Sequence, residues 1–282
     1  MRVRHAGAVL AVSLAVLAGG LGCSSEDSED STATSTTATA EETTTTAPEV
    51  LTILVSNDDG FGAPGIDAVV RALDELPDTE IVVVAPAENQ SGSGSNTTEG
   101  DLEVTEVETA SGFPVTAVAG FPADAVNWAL DGGIAVTPDL VVSGINSGQN
   151  LGAVGDQLSG TVGAARAAAA AGIPAVATST ALNDAVDYDL AAVYVVEWVQ
   201  ENREALLAGE LSGDALLLQG LNIPFCAVGE IRGVVEVPMS AGSDGAIADQ
   251  DCTSTLEDPV DDITAFNNGF VSLSNLPLRA AA

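Results

Sequence analysis

Residues 53–66 read ILVSNDDGFGAPGI: an aliphatic run, then Asn57-Asp58-Asp59-Gly60, then a helix-like stretch opening at Pro64. The run has the length and residue types of a buried strand, and proline suits the first turn of a helix. Strand, turn and helix in immediate succession predict a βα unit. The two adjacent carboxylates at its turn are the unusual part, because each raises the cost of ionising its neighbour. Asp-Gly is a common turn pair, so a plain polar turn is one explanation. A cation held between the two acids is the other.

Outward from this stretch the same alternation continues. EIVVVA (80–85), PDLVVSG (138–144), IPAVATS (173–179), ALLLQGL (215–221) and GFVSLSNLPL (269–278) read as strands. PGIDAVVRALDEL (64–76), PADAVNWALDG (122–132), GTVGAARAAAAAG (160–172) and residues 187–208 read as helices. DLEVTEVE (101–108) and PVTAVAG (114–120) alternate with period two, as an antiparallel arm does. Continuously apolar strands separated by helices predict an α/β fold, with a mostly parallel sheet covered on both faces. In such sheets ligands bind at the carboxyl ends of the strands.

Three polar, glycine-rich loops are predicted at that edge. They are the turn at Asp58 and Asp59, APAENQSGSGSN (85–96) and SGINSGQN (143–150). SGSGSN is no dinucleotide fingerprint, since Thr97 stands where the third glycine belongs. NDDG is no EF-hand loop, whose acids are spaced by two. Together the loops offer carboxylate, hydroxyl and carboxamide oxygens, a set suited to a hard cation. A fourth segment, LSGTVGAARAAA (158–169), places Ser159, Gly160 and Thr161 before an alanine-rich helix. Ordinary capping explains the serine; free amides at a helix start also make an anion site. Opposite a cation, that site would cradle a phosphate, and a phosphoester would bridge the two.

The ends of the chain suggest export. Residues 1–22 open with Arg2, Arg4 and His5 and continue as an apolar run too short for a comfortable membrane span, the pattern of a signal peptide. The small residues before Cys23 resemble the cleavage site of bacterial lipoproteins, in which that cysteine is acylated, although Gly20 stands where leucine or a similar residue is usual. Plain secretory cleavage and an uncleaved anchor are the alternatives. Residues 24–49 are, Pro48 apart, Ser, Thr, Ala and acid with no large apolar side chain, so 23–49 is expected to be a disordered tether. The folded domain is expected over 50–282. Its two cysteines, Cys226 and Cys252, are a candidate disulfide in an oxidising compartment, or else two unpaired buried thiols.

Charge and histidine content narrow the chemistry. There are 41 acids against seven basic residues, all arginines; once Arg2 and Arg4 leave with the signal segment the formal balance is −36. Such a surface repels nucleic acid and anionic lipid, so duplex DNA binding is excluded and any membrane contact runs through a lipid anchor. Most of these acids are accounted for by solubility or salt tolerance. The sole histidine, His5, lies in the segment expected to be removed. A Ser-His-Asp triad, a His-ligated zinc and a histidine phospho-intermediate are thereby eliminated. A metal would be held by oxygen, as Mg²⁺, Mn²⁺ or Ca²⁺ is.

At these residues the chain resembles the survival protein SurE family of metal-dependent 5′/3′-nucleotidases and acid phosphatases. ILVSNDDGFGAPGI, VVVAPAENQSGSGS, GFPADAV, DLVVSGINSGQNLG, LSGTVGAAR, LNIPF and GFVSLSNLPL occur in the family's order across about 51–278. The resemblance implies a Rossmann-like core with a β-arm often exchanged between subunits, and a homodimer or higher homo-oligomer. It implies one divalent cation per subunit, Mg²⁺ or Mn²⁺, and hydrolysis of nucleoside monophosphates. Carried over by position, Asp58, Asp59, Ser91 and Asn146 hold the metal. Asn57, Asn96, Asn150, Ser159, Gly160 and Thr161 hold phosphate or substrate. One aspartate serves as ligand while the other takes a proton, with Asp58 assigned the chemistry. The chain departs from the family at Leu158, usually tyrosine; at Phe61-Gly62, where a histidine is frequent; at Phe121, usually threonine; and in a NLGAVGDQ loop one residue longer. Those departures bear on the nucleotide preferred and leave room for an alternative, a non-catalytic envelope module that binds nucleotides or cations. An NAD-dependent or glycosyl-transferring enzyme lacks both the glycine fingerprint and a base.

Overall fold

The computed structural model describes residues 49–278. The expected signal peptide, Cys23 and all but the last residue of the expected tether lie outside the described residues. The opening stretch folds as anticipated: strand β1 (Leu51–Ser56), a turn, then helix α1 (Pro64–Asp74) with proline in its first turn. The remaining strands are β2 (Thr79–Pro86), β3 (Val104–Glu108), β4 (Pro114–Val118), β5 (Leu140–Ser147), β6 (Ala175–Thr180), β7 (Leu218–Ile223), β8 (Val234–Glu236) and β9 (Val271–Asn275). The other helices are α2 (Pro122–Trp128), α3 (Gly152–Leu158), α4 (Gly160–Ala170), α5 (Tyr188–Leu207) and α6 (Asp262–Asn267).

These strands form one nine-stranded sheet in the order β3-β4-β2-β1-β5-β6-β7-β9-β8. From β4 to β7 every neighbouring pair is parallel. Two pairs run antiparallel: β3 with β4, and β7 with β9. The period-two segments therefore form the expected antiparallel pair, docked as the end of the sheet because β4 also pairs with β2.

Alternation along the strands divides the core in two. Leu51, Ile53 and Val55 of β1 face α1 and α5 with Ile66, Val69, Val195 and Trp198. Leu54 faces the opposite layer, built from Ala125 and Val126 of α2 and Val162, Ala164, Ala165 and Ala168 of α4. The alanines of α4 have a structural reason: small side chains let it lie close to both α2 and the sheet.

The strand order places the functional edge. The chain leaves β1 through α1 toward β2 on one side, and reaches β5 on the other side only after β3, β4 and α2. The connections after β1 and β5 thus diverge over opposite faces and open a crevice between two adjacent strands. Such a topological switch point is where open α/β sheets bind ligands. Two sequence expectations shift. The 122–132 helix ends at Trp128 and continues as a π-type turn over Ala129–Gly133, and the NLGAVGDQ stretch contains a short helix, α3.

Candidate active site

Asp58 and Asp59 emerge from β1 into the crevice, and neighbouring loops hold them in contrasting ways. Asp58 is 2 % exposed. Its Oδ1 accepts a 2.6 Å hydrogen bond from the Thr161 hydroxyl at the start of α4. Burial pushes its pKa up to about 6, with the negative charge of Asp59 adding to the rise and the Thr161 hydrogen bond opposing it. Asp59 is more open. Its Oδ1 accepts from Asn89 Nδ2 at 3.0 Å and lies 3.5 Å from Ser91 Oγ, while Oδ2 accepts the Ser147 backbone N–H at 2.8 Å.

Two glycines make this geometry possible. Gly60 has φ +91°, and a Cβ there would lie 2.9 Å from the backbone carbon of Glu88. Only glycine lets the aspartate turn and the β2 loop meet so closely. At Gly160 a Cβ would lie 2.8 Å from both Asp58 Cβ and Ser93 Oγ. That absence of a side chain brings the first turn of α4 against the carboxylate.

The loop after β5 completes the site. Asn146 Nδ2 donates to Gly148 O at 2.5 Å, which orients the amide and turns Oδ1 away as an available ligand atom. Asn150 donates from Nδ2 to Ser179 Oγ at 2.8 Å and to Thr161 Oγ1 at 3.3 Å. Asn222 of β7 accepts the Asn150 N–H at 2.7 Å. A continuous polar chain thus runs from β7 through Asn150 and Thr161 to Asp58.

The structure brings Asp58, Thr161 and Asn150 into one hydrogen-bonded chain and Asp59 and Ser91 into a second, the two meeting at the adjacent carboxylates, with Asn146 beside Ser147, the backbone donor to Asp59. Asn57 is fully buried, and its Nδ2 clamps Gly60 O at 2.8 Å, bracing the turn. The Ser159 hydroxyl caps α4 by accepting the Val162 N–H at 3.1 Å. Asn96 is exposed, its N–H bonded to Ser93 O at 3.1 Å. Residue-type reasoning missed Asn89, Ser179, Asn222 and Ser93. Asn89 lies in the already suspect AENQS loop and could have been found; Ser179 and Asn222 end strands in ATST and LNIPF, where nothing local marks them.

The donor set fits a hard divalent cation. Two adjacent carboxylates, one of them desolvated, converge with neutral amide and hydroxyl oxygens and no nitrogen or sulfur ligand. None of the three ion pairs among the described residues includes Asp58 or Asp59. The buried oxygens Asn57 Oδ1 and Ser93 Oγ also have no hydrogen-bond partner, which marks this corner as one short of positive charge and donors.

A doubly covered parallel sheet with paired carboxylates and oxygen donors at its switch point defines a Rossmann-like α/β protein. The family model described as Survival protein SurE matches residues 53–243, and the chain belongs to that family. It is 41% identical over 184 residues to the 5′-nucleotidase SurE of Methylococcus capsulatus, an alignment covering 64% of this chain and 67% of the relative. With the 5′-nucleotidase SurE of Variovorax paradoxus the identity is 43% over 187 residues, 65% of this chain and 69% of the relative. The crystal structure of the SurE protein from Aquifex aeolicus superposes with a TM-score of 0.64 at 28% identity, covering 82% of this chain and 94% of that one.

Proposed function

We infer that the protein is a divalent-metal-dependent phosphomonoesterase, a 5′-nucleotidase that releases phosphate from nucleoside monophosphates. The observation that carries this reading is the Asp58–Asp59 pair at the switch point, held by neutral donors and by no cationic side chain. The curated relatives are named 5′-nucleotidases, which supports turnover over a binding-only module.

Asp58, Asp59, Ser91 and Asn146 would hold the cation. Bound there, it would polarise a phosphoryl oxygen and lower the pKa of a coordinated water. The chain's own groups supply the rest. Asn89 and the Ser147 N–H fix the Asp59 carboxylate so that it presents its oxygens in one orientation. Thr161 occupies Asp58 Oδ1, leaving Oδ2 to take the proton of the attacking water as its oxygen bonds to phosphorus and the ester oxygen departs. Asn150, anchored by Asn222 and Ser179, positions the phosphoryl group together with the first turn of α4.

The arginines add a constraint. Arg71 binds Asp67 and Asp189, Arg166 binds Asp156, Arg203 binds Asp78 O and Thr79, and Arg232 binds the carbonyls of Asn268 and Leu256. Every arginine among the described residues is thus engaged elsewhere, and the domain has no lysine or histidine. Among the described residues, phosphate charge is left to the cation, backbone amides and hydroxyls. The deciding assay is hydrolysis of p-nitrophenyl phosphate and nucleoside monophosphates after exhaustive chelation, then with Mg²⁺ or Mn²⁺ restored. We expect loss and recovery; full activity in chelator would overturn the reading.

The site is read as extracytoplasmic, with Cys23 acylated. Cys226 and Cys252 form a disulfide across 26 residues, a bond that persists in oxidising compartments and so supports export. Cys23→Ser should release the protein from the membrane fraction, or block its maturation, without changing its specific activity. Continued membrane attachment of a correctly trimmed variant would exclude the anchor.

A further inference from the structure

A cavity of about 460 Å³ opens at the same carboxyl edge of the sheet, beyond the ends of β6 and β7. The carboxylate site does not line it. Its walls are mainly apolar, with Leu190 and Tyr194 from α5, Ile223 from the end of β7, and Pro224, Phe225 and Ile231 from the segment after it. That segment is fastened by the disulfide from Cys226, itself in the wall, and by a backbone bridge between Gly229 and Cys252. Pockets of this size and character, with two aromatic rings and few polar groups, suit a flat uncharged ring system.

Hydrogen bonds join the cavity wall to the active-site network. Thr180 lines the cavity, and the preceding residue, Ser179, accepts from Asn150 in the phosphate-side network. Thr180 O accepts the Gly148 N–H at 3.1 Å, and Gln149 Oε1 accepts the Leu182 N–H at 3.0 Å. The loop after β5, which carries Asn146 and Asn150, is thus bonded to the end of β6, whose Thr180 lines the cavity. Asp187 and Glu230 also line it. Their charges disfavour a second phosphate there and favour a neutral group bearing N–H donors.

We propose that this cavity receives the nucleobase of the substrate, with Tyr194 and Phe225 as its stacking surfaces. The proposal rests on the nucleotidase reading and adds to it the subsite that selects the leaving group. A second cavity of about 420 Å³, lined by Glu88, Gln90, Thr98 and Phe121, flanks the aspartate turn on its other side and is the competing location.

The test pairs two substrates with two readouts. Phe225→Ala and Leu190→Glu should each raise KM for adenosine monophosphate about tenfold or more, the loss expected for a removed stacking partner or an intruding charge. Both should leave hydrolysis of glycerol 2-phosphate, which has no ring, unchanged; Leu190 is half-exposed, so its variant leaves the core intact. Calorimetric binding of adenosine, in chelator and without turnover, should weaken in parallel. Equal losses on both substrates, no change on either, or a selective loss in Phe121→Ala instead would overturn the proposal. If the wild type hydrolysed neither phosphoester, the nucleotidase reading would fail, and adenosine binding and its loss in the variants would still decide the cavity.

Discussion

The two buried carboxylates beside helix α4 have opposite surroundings. Asp156, 4 % exposed, pairs with the Arg166 guanidinium one turn and a half along the helix from Thr161. Asp58, 2 % exposed, has a hydroxyl on one oxygen and a second carboxylate as its neighbour. Other interior acids are also given donors by the chain. Asp124 accepts the N–H groups of Thr98 and Phe121 together with the Thr98 hydroxyl, and Asp262 accepts those of Gly152, Ser240 and Ile263, although burial still raises the Asp262 pKa. A buried charge with its compensation built into the chain stabilises structure; a buried charge left short of compensation awaits a ligand.

The sharpest way to break that comparison is to neutralise each side in turn. Asp58→Asn or Asp59→Asn should lower kcat by on the order of three decades or more, because each removes a charge from the cation site and one removes the base. Thermal unfolding of the same variants should stay level or rise without metal, since mutual repulsion disappears. Either aspartate variant retaining wild-type turnover would end the assignment.

Arg166→Met is the mirror experiment. Withdrawing the guanidinium from a buried carboxylate should cost about 3–5 kcal/mol in urea unfolding, and replacing Asp156 by leucine as well should recover much of it. If Asp58→Asn proved as destabilising as Arg166→Met, Asp58 would be a structural acid and the distinction between the two would collapse.

How much of this was legible in the sequence follows from which interactions are local. The βα unit at 53–66, the alanine-rich helix and the apolar strands announce themselves by periodicity and by proline and serine at helix starts. The three loops converge because parallel strands share a polarity, so the sequence alone places Asp58, Asp59, Ser91 and Asn146 at one edge. Asn89 clamping Asp59, Ser179 and Asn222 anchoring Asn150, and the switch between β1 and β5 depend on strand order. Strand order is a long-range property with no signal in any short window. The Ser159 cap was readable, whereas the turning of Thr161 onto Asp58 depends on Gly160, whose missing side chain matters only once Asp58 and Ser93 are known to press against it. The cavity beyond β7 was invisible for the same reason.

The smallest expected effect concerns a partly buried acid nearer the surface, which sharpens the contrast by reducing burial. Asp67 of α1 accepts the Ser111 N–H at 2.7 Å from the β3–β4 turn and Arg71 Nε at 3.2 Å. Its partial burial works against the charge, yet hydrogen bonds from Thr109, Ser111 and Arg71 outweigh it and hold the pKa down at about 2. A carboxyl depressed in the folded state contributes stability above its unfolded value near 3.8, and that contribution disappears as pH falls through about 2. Asp67→Asn should therefore destabilise by on the order of 1 kcal/mol at neutral pH, the magnitude expected of a solvent-screened pair. Urea unfolding of variant and wild type should converge as the pH falls from about 4 to 2. A gap that persisted unchanged to pH 2 would mean that shape and hydrogen bonding, and not charge, tie α1 to the β3–β4 turn. Asp58 differs from this case in one physical respect: the donors around Asp67 outnumber what its burial demands, and those around Asp58 fall short.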